Sequence, residues 1–92
     1  MTINEAKETV YKTICYIQEL SGRALPTEYK DNIIPIGDIE GFDSINAVEV
    51  GVYLSESFNC ALSYNPFVSG NRPLTIEQIA QKILSKKEEL GK

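Results

Sequence analysis

The chain contains no histidine and no tryptophan, and only two cysteines and one methionine. The lack of histidine removes every histidine-based triad, every imidazole general base and every histidine-ligated metal site. Cys15 and Cys60 stand alone, with no Cys-x-x-Cys pair, so neither a disulfide framework nor structural zinc is expected. Both read as small core residues. Apolar runs are only a few residues long, too short to cross a bilayer. The opening Met1-Thr2-Ile3-Asn4-Glu5 has no basic stretch leading into an apolar one. No secretion leader is therefore expected, and the expected compartment is the cytoplasm, where thiols stay reduced. Basic residues are also scarce: 9 Lys and Arg face 13 Asp and Glu, for a net charge of −4. Without a basic stripe, direct nucleic-acid binding is not expected.

What remains is a 92-residue chain, 42% apolar and 24% charged, the mix of a globular domain. Its length suits a single domain over residues 1–92. A core this small leaves little margin, so each helix must bring a clean apolar face.

From Thr2 to Ser21, Ile3, Ala6, Val10, Ile14, Ile17 and Leu20 recur at steps of three and four, the spacing of one helix face. Thr2 and Glu5 stand in capping-box relation, and Ser21-Gly22 supplies the stop. From Arg23 to Phe42 no period is sustained, and Pro26, Pro35, Gly37 and Gly41 interrupt the segment. Leu25, Ile33, Ile34, Ile36, Ile39 and Phe42 are too many for a free linker. A long ordered loop is expected, its apolar residues plugging a helical core. Pro35 speaks against a strand at Ile33–Ile36.

The next helix starts at Asp43-Ser44, with Asp43 as N-cap, and ends near Phe58-Asn59. Cys60 to Pro73 is expected to be irregular, with one short helical turn at most. A last helix covers Thr75 to about Leu90, with Ile76, Ile79, Ala80, Ile83 and Leu84 on one face. Thr75 and Gln78 form a second capping box, Gly91 follows the end, and Lys82, Lys86 and Lys87 suit a helix C-terminus. The predicted fold class is all-α: a small bundle of three to four helices with a long loop between the first and second.

Laid out at about 100° per residue, the middle helix has two apolar sides. Ala47, Val50, Leu54 and Phe58 fall on one, and Ile45, Val48 and Val52 on the other. Glu49 and Glu56 lie with the second set, and unpaired carboxylates are costly to bury. The first set is therefore expected inside and the second exposed. Residues 28–59 also hold seven acids (Glu28, Asp31, Asp38, Glu40, Asp43, Glu49, Glu56) against Lys30 alone. An apolar strip that coincides with these acids predicts a docking surface for basic partners, beyond a merely solvated face.

Ser44 stands where the long loop becomes this helix. No base adjoins it in sequence, so it is not built to activate itself. By local sequence alone it is an ordinary first-turn serine. The run Gly41-Phe42-Asp43-Ser44-Ile45-Asn46-Ala47-Val48-Glu49-Val50 resembles the Asp-Ser-Leu signature of the acyl carrier protein family and the apolar, acidic helix that follows it. The resemblance covers nearly the whole chain: helix, long loop, Asp-Ser helix, irregular turn, last helix.

This resemblance implies that Ser44 accepts 4′-phosphopantetheine from coenzyme A through a separate, magnesium-dependent phosphopantetheinyl transferase. The thiol of that arm would carry acyl groups as thioesters between enzymes of a fatty-acid, lipid or specialised-metabolite pathway. The chain would then be a monomeric carrier and not a catalyst, with no metal site and no membrane insertion. The resemblance also implies that Asp43, Ile45, Val48, Glu49, Val52 and Glu56 meet basic patches on acyl-loading and acyl-processing enzymes. A phosphodiester at Ser44 would be an anion at a helix N-terminus, a setting worth roughly 0.3–1 kcal/mol. The chain departs from the family pattern at Asn46 and Ser55, where acids are common, and at Gly51, which costs about 1 kcal/mol against alanine. The segment from Ser63 to Pro73 is longer and less acidic than usual. These departures favour a specialised carrier.

An aminoacyl or peptidyl carrier usually shows a Gly-Gly-x-Ser entry. Here the entry is Gly41-Phe42-Asp43-Ser44, which ranks that reading second. A non-carrier acidic adaptor, docking a basic partner through the same helix, is the alternative from another class. An enzyme is the weakest reading, since Gly-x-Ser-x-Gly and phosphate-loop motifs are absent. Asp38, Glu40 and Asp43 do not meet calcium-loop spacing. The five tyrosines either line a cargo cavity or simply pack.

Overall fold

The computed structural model describes residues 2–23, 25, 32–62 and 65–90, with side chains to residue 87. Thr2 opens the first helix. Its hydroxyl accepts the Glu5 N–H at 3.2 Å, and the Glu5 carboxylate accepts the Thr2 N–H at 2.9 Å. The Thr2 backbone N–H foremost, and then its side chain, hold the Glu5 carboxyl below its ordinary value. Helix α1 then runs Ile3–Leu20 and stops at Ser21, with Gly22 in the left-handed region at φ 68°. Ala6, Val10, Ile14 and Ile17 are fully buried. Leu20, expected on the same face, is 61% exposed, because the last turn runs past the core.

The long connection is ordered where it is described. Pro35 starts a single turn, α2 (Pro35–Asp38), in which Ile36 and Gly37 already leave helical angles. The Asp38 carboxylate accepts the Ile34 N–H at 2.8 Å and fixes this turn. Ile39 and Phe42 are buried in the core, and Ile33 and Ile36 pack against that core half-buried, so this half of the loop plugs it as expected. Leu25 does not: it is exposed. Residues 24 and 26–31, with Pro26, Glu28, Lys30 and Asp31 among them, lie outside the described residues.

Helix α3 spans Ser44–Phe58 and ends at Asn59, whose φ of 51° and ψ of 50° give the left-handed cap. Asn59 tolerates that conformation better than most residues. Beyond it, the region expected to be irregular contains a small antiparallel hairpin, β1 (Val68–Ser69) with β2 (Arg72–Pro73). Gly70 has φ 63°, and glycine at the first of two central residues is what a type II′ turn requires. Phe67 is fully buried, and its carbonyl accepts the Leu74 N–H at 2.9 Å, which closes the ribbon onto the core. Ser63 and Tyr64 lie outside the described residues.

Helix α4 spans Ile76–Leu90, and Thr75 and Gln78 exchange the two capping bonds at 2.9 and 3.1 Å. Gly91 lies outside the described residues. Helix α1 packs against both α4 and α3. Two lysines of α4 reach backwards: Lys82 Nζ donates to the Val68 carbonyl at 3.2 Å, and Lys87 Nζ donates to the Phe58 carbonyl at 2.7 Å. The second bond satisfies a carbonyl at the end of α3 that has no partner within its own helix. The Ile76 N–H donates to the Ile33 carbonyl at 2.9 Å and ties the long loop to the start of α4.

Among the described residues the protein is thus a mostly helical bundle with one small hairpin, and no helix is long and apolar enough to cross a membrane. Cys15 and Cys60 are free thiols, Cys60 buried and Cys15 half-buried beside Tyr11. Burial raises the pKa of both Cys15 and Tyr11.

Candidate functional site

Asp43 builds the entry to α3. Its Oδ1 accepts the Ile45 N–H at 3.0 Å and the Asn46 N–H at 3.1 Å. The Asn46 amide oxygen answers by accepting the Asp43 N–H at 3.5 Å. Ser44 is enclosed between these bonds in sequence yet remains exposed as the first helical residue.

The two sides of α3 separate as the wheel predicts. Ala47, Val50, Leu54 and Phe58 are buried. Ile45 is 76% exposed and Val52 57%, and Asp43, Glu49 and Glu56 are exposed beside them. No cation among the described residues pairs with Glu49 or Glu56. Val48 differs from expectation, being only half-exposed. It forms a wall of a solvent-open cavity of about 240 Å³ lined by Ser44, Ile45, Val48 and Asn65. The Asn65 side-chain oxygen accepts the Phe67 N–H at 3.0 Å, so the loop before the hairpin sets this residue's place opposite α3.

Asn46 is a second departure. Expected as a docking position short of charge, it is 4% exposed and lies away from the strip. About 100° from Ile45 on the helix, it turns towards α1. Its amide oxygen receives the guanidinium of Arg23, which also donates to the Gly41 carbonyl. Gln18 Nε2 donates to the neighbouring Glu40 carbonyl at 3.2 Å. Ser55 is half-buried and bonds back to the Gly51 carbonyl at 3.0 Å, so it too is no gap in the acidic strip. Gly51 itself is buried.

Sequence reasoning missed Arg23, Gln18, Asn65 and Tyr53 as parts of this region. Tyr53 stacks edge-on against Tyr16 of α1, ring centroids 5.6 Å apart, and extends the exposed apolar surface across the α1–α3 seam. The wheel offered a signal only for Tyr53, which sits about 80° from Ile45. The others depend on contacts distant in sequence. On the opposite side of the cap, a hollow of about 500 Å³ is bordered by Arg23, Gly41, Phe42 and Asp43.

Chemically, the arrangement offers an exposed primary hydroxyl at a helix N-terminus, whose neighbouring carboxylate, that of Asp43, is bonded into the cap. Among the described residues no group of three His, Cys, Asp or Glu side chains is placed to hold a metal ion. Asp38 and Asp43 each cap their own turn. No protein-family model matches the chain, and neither does any curated protein or solved structure.

Proposed function

We propose that the chain is an acyl carrier protein and that Ser44 bears a 4′-phosphopantetheine arm. The observation that carries this reading is the exposed Ser44 at the head of α3, followed by an exposed Ile45–Val52 strip flanked by Glu49 and Glu56. A hydroxyl that must be reached by many enzymes belongs at the end of a surface they can all read.

In the loading step the Ser44 Oγ attacks the phosphorus that carries pantetheine in coenzyme A. The Oγ–P bond forms, the phosphoanhydride bond breaks, and the nucleotide half leaves with the bonding electrons. The hydroxyl proton passes to a base of the transferase, because the adjoining Asp43 carboxylate is engaged with the N–H groups of the cap. Asp43 holds the first turn in shape. Its carboxylate already occupies the Ile45 and Asn46 N–H groups, so a phosphodiester on Ser44 would draw on the helix dipole and not on those donors, roughly 0.3–1 kcal/mol. The residues beside Ser44 fit the arm. Ile45 and Val48 offer apolar walls for its dimethyl carbon, and among the described residues Ser44 and Asn65 give the cavity its polar lining. Once attached, the arm supplies a thiol for thioesters.

Asp43, Ile45, Val48, Glu49, Val52 and Glu56 would meet basic, partly apolar patches on the transferase and on acyl-loading and acyl-processing enzymes. On this reading the chain acts in the cytoplasm as a monomer within a fatty-acid, lipid or specialised-metabolite pathway. Incubation with a broad-specificity phosphopantetheinyl transferase, coenzyme A and magnesium, followed by intact mass spectrometry, tests it. The expected result is a gain of one phosphopantetheinyl group on the wild type and none on Ser44→Ala. A folded wild type that stays unmodified overturns the reading and leaves the acidic face to a non-carrier adaptor.

A further inference from the structure

We infer that Arg23 is a positioning residue that locks the entry of α3, and with it Ser44, onto the end of α1. Its functional consequence rests on the carrier reading, but its geometry does not.

Ser44 sits at the junction of a long loop and a helix, where the first turn frays most easily because its N–H groups lack intrahelical partners. The Asp43 cap holds that turn from within. Arg23 holds it from outside, with one guanidinium nitrogen bonded to both the Gly41 carbonyl and the Asn46 amide oxygen. The same Asn46 oxygen accepts the Asp43 N–H. Asn46 is therefore a hub, joining the cap of α3 to a cation fixed beyond the end of α1. Gln18 adds a parallel tie one residue back, to Glu40, so two consecutive carbonyls of the incoming turn are gripped from the same neighbour.

The turn is shaped to receive this side chain. Gly41 has φ 77°, and a Cβ there would come within 3.4 Å of the Arg23 Cδ. The arginine stem thus lies across the glycine while its planar head reaches on to Asn46. A neutral amide at position 46, and not a carboxylate, also lets one oxygen take both donors while the NH2 end carries no charge into a nearly buried place.

The test compares Arg23→Met, which keeps the stem and removes the guanidinium, with wild type in transferase loading and in amide hydrogen exchange. The docking residues Glu49 and Val52 lie beyond the first turn and stay with the body of α3, so KM is expected to stay within about twofold. Misplacement of the hydroxyl is expected to lower kcat roughly tenfold or more, on the scale at which ångström errors of alignment act. Exchange at the Ile45 and Asn46 N–H groups is expected to quicken. Ile79→Val, a core change in α4 that lowers the melting temperature, controls for stability and is expected to leave kcat alone. If Arg23→Met does not fold, Arg23→Gln, whose shorter neutral side chain stops short of Asn46, is read by the same criteria. Wild-type kcat with unchanged exchange overturns the inference, and so does a raised KM with kcat intact. If the wild type is not loaded at all, the carrier reading falls, and exchange at Ile45 and Asn46 alone decides the role of Arg23.

Discussion

Val50→Asp and Val52→Asp place the same carboxylate two residues apart on α3, on opposite sides of the helix. Val50 is fully buried and Val52 is 57% exposed. At Val50 the change removes about 1.5–3 kcal/mol of burial. It adds several kcal/mol for an ion taken out of water without a partner. Together these match the lower end of the roughly 5–15 kcal/mol that holds a natural domain folded, and a domain of this size belongs at that end. Val50→Asp is therefore expected to lose its helical circular dichroism at 25 °C. At Val52 the change is expected to stay within about 0.5 kcal/mol, or less than about 4 °C in Tm for a chain of this length. Two melts decide it. A Val50→Asp melt within a few degrees of wild type, or a collapse of Val52→Asp, would refute the assignment of the two faces.

Glu49→Lys with Glu56→Lys is expected to leave the melt unchanged and raise the transferase KM several-fold. An unaltered KM removes the acidic rim from docking. Asn59 sits at φ 51°, so Asn59→Ala is expected to cost about 1 kcal/mol while Asn59→Gly is neutral or stabilising, measured by urea unfolding. Glu5 has its carboxyl lowered from the ordinary 4.5 by its bonds to Thr2. Folding favours its ionised form, so its contribution is whole above 4.5 and fades as pH falls through its own lower value. A carboxyl NMR titration is expected to show a depressed midpoint that Thr2→Pro, which lacks the donor N–H, restores; equal midpoints in the two proteins remove the capping account.

The helices and their ends were legible because their signals are local. Thr2 with Glu5 and Thr75 with Gln78 lie three residues apart, and Asn59 announces its own left-handed cap. The inside and outside of α3 were legible because Glu49 and Glu56 cannot be buried cheaply. The hairpin was hidden: its strands are two residues each, one contains Pro73, and what holds it is the burial of Phe67. The Gly70-Asn71 pair was the available clue. Val48 lies on the expected side but is half-exposed, because a wheel gives direction but not neighbours; Asn46 was set beside the docking strip by the family pattern, not by the wheel. Val48 meets the loop of Asn65, and Asn46 meets Arg23 across 23 residues of sequence. Leu25 was misread because apolar character alone does not place a loop residue inside.

The backward reach of Lys82 and Lys87 has an electrostatic consequence. Both ammonium groups end on neutral carbonyls, so neither forms an ion pair that would cancel the field of Glu49 and Glu56 at contact. At physiological ionic strength that field extends about 8 Å into solvent, enough to draw in a cationic surface before contact. Added salt would slow the encounter, while the lifetime of the complex would follow the dehydration of Ile45 and Val52, which salt does little to weaken.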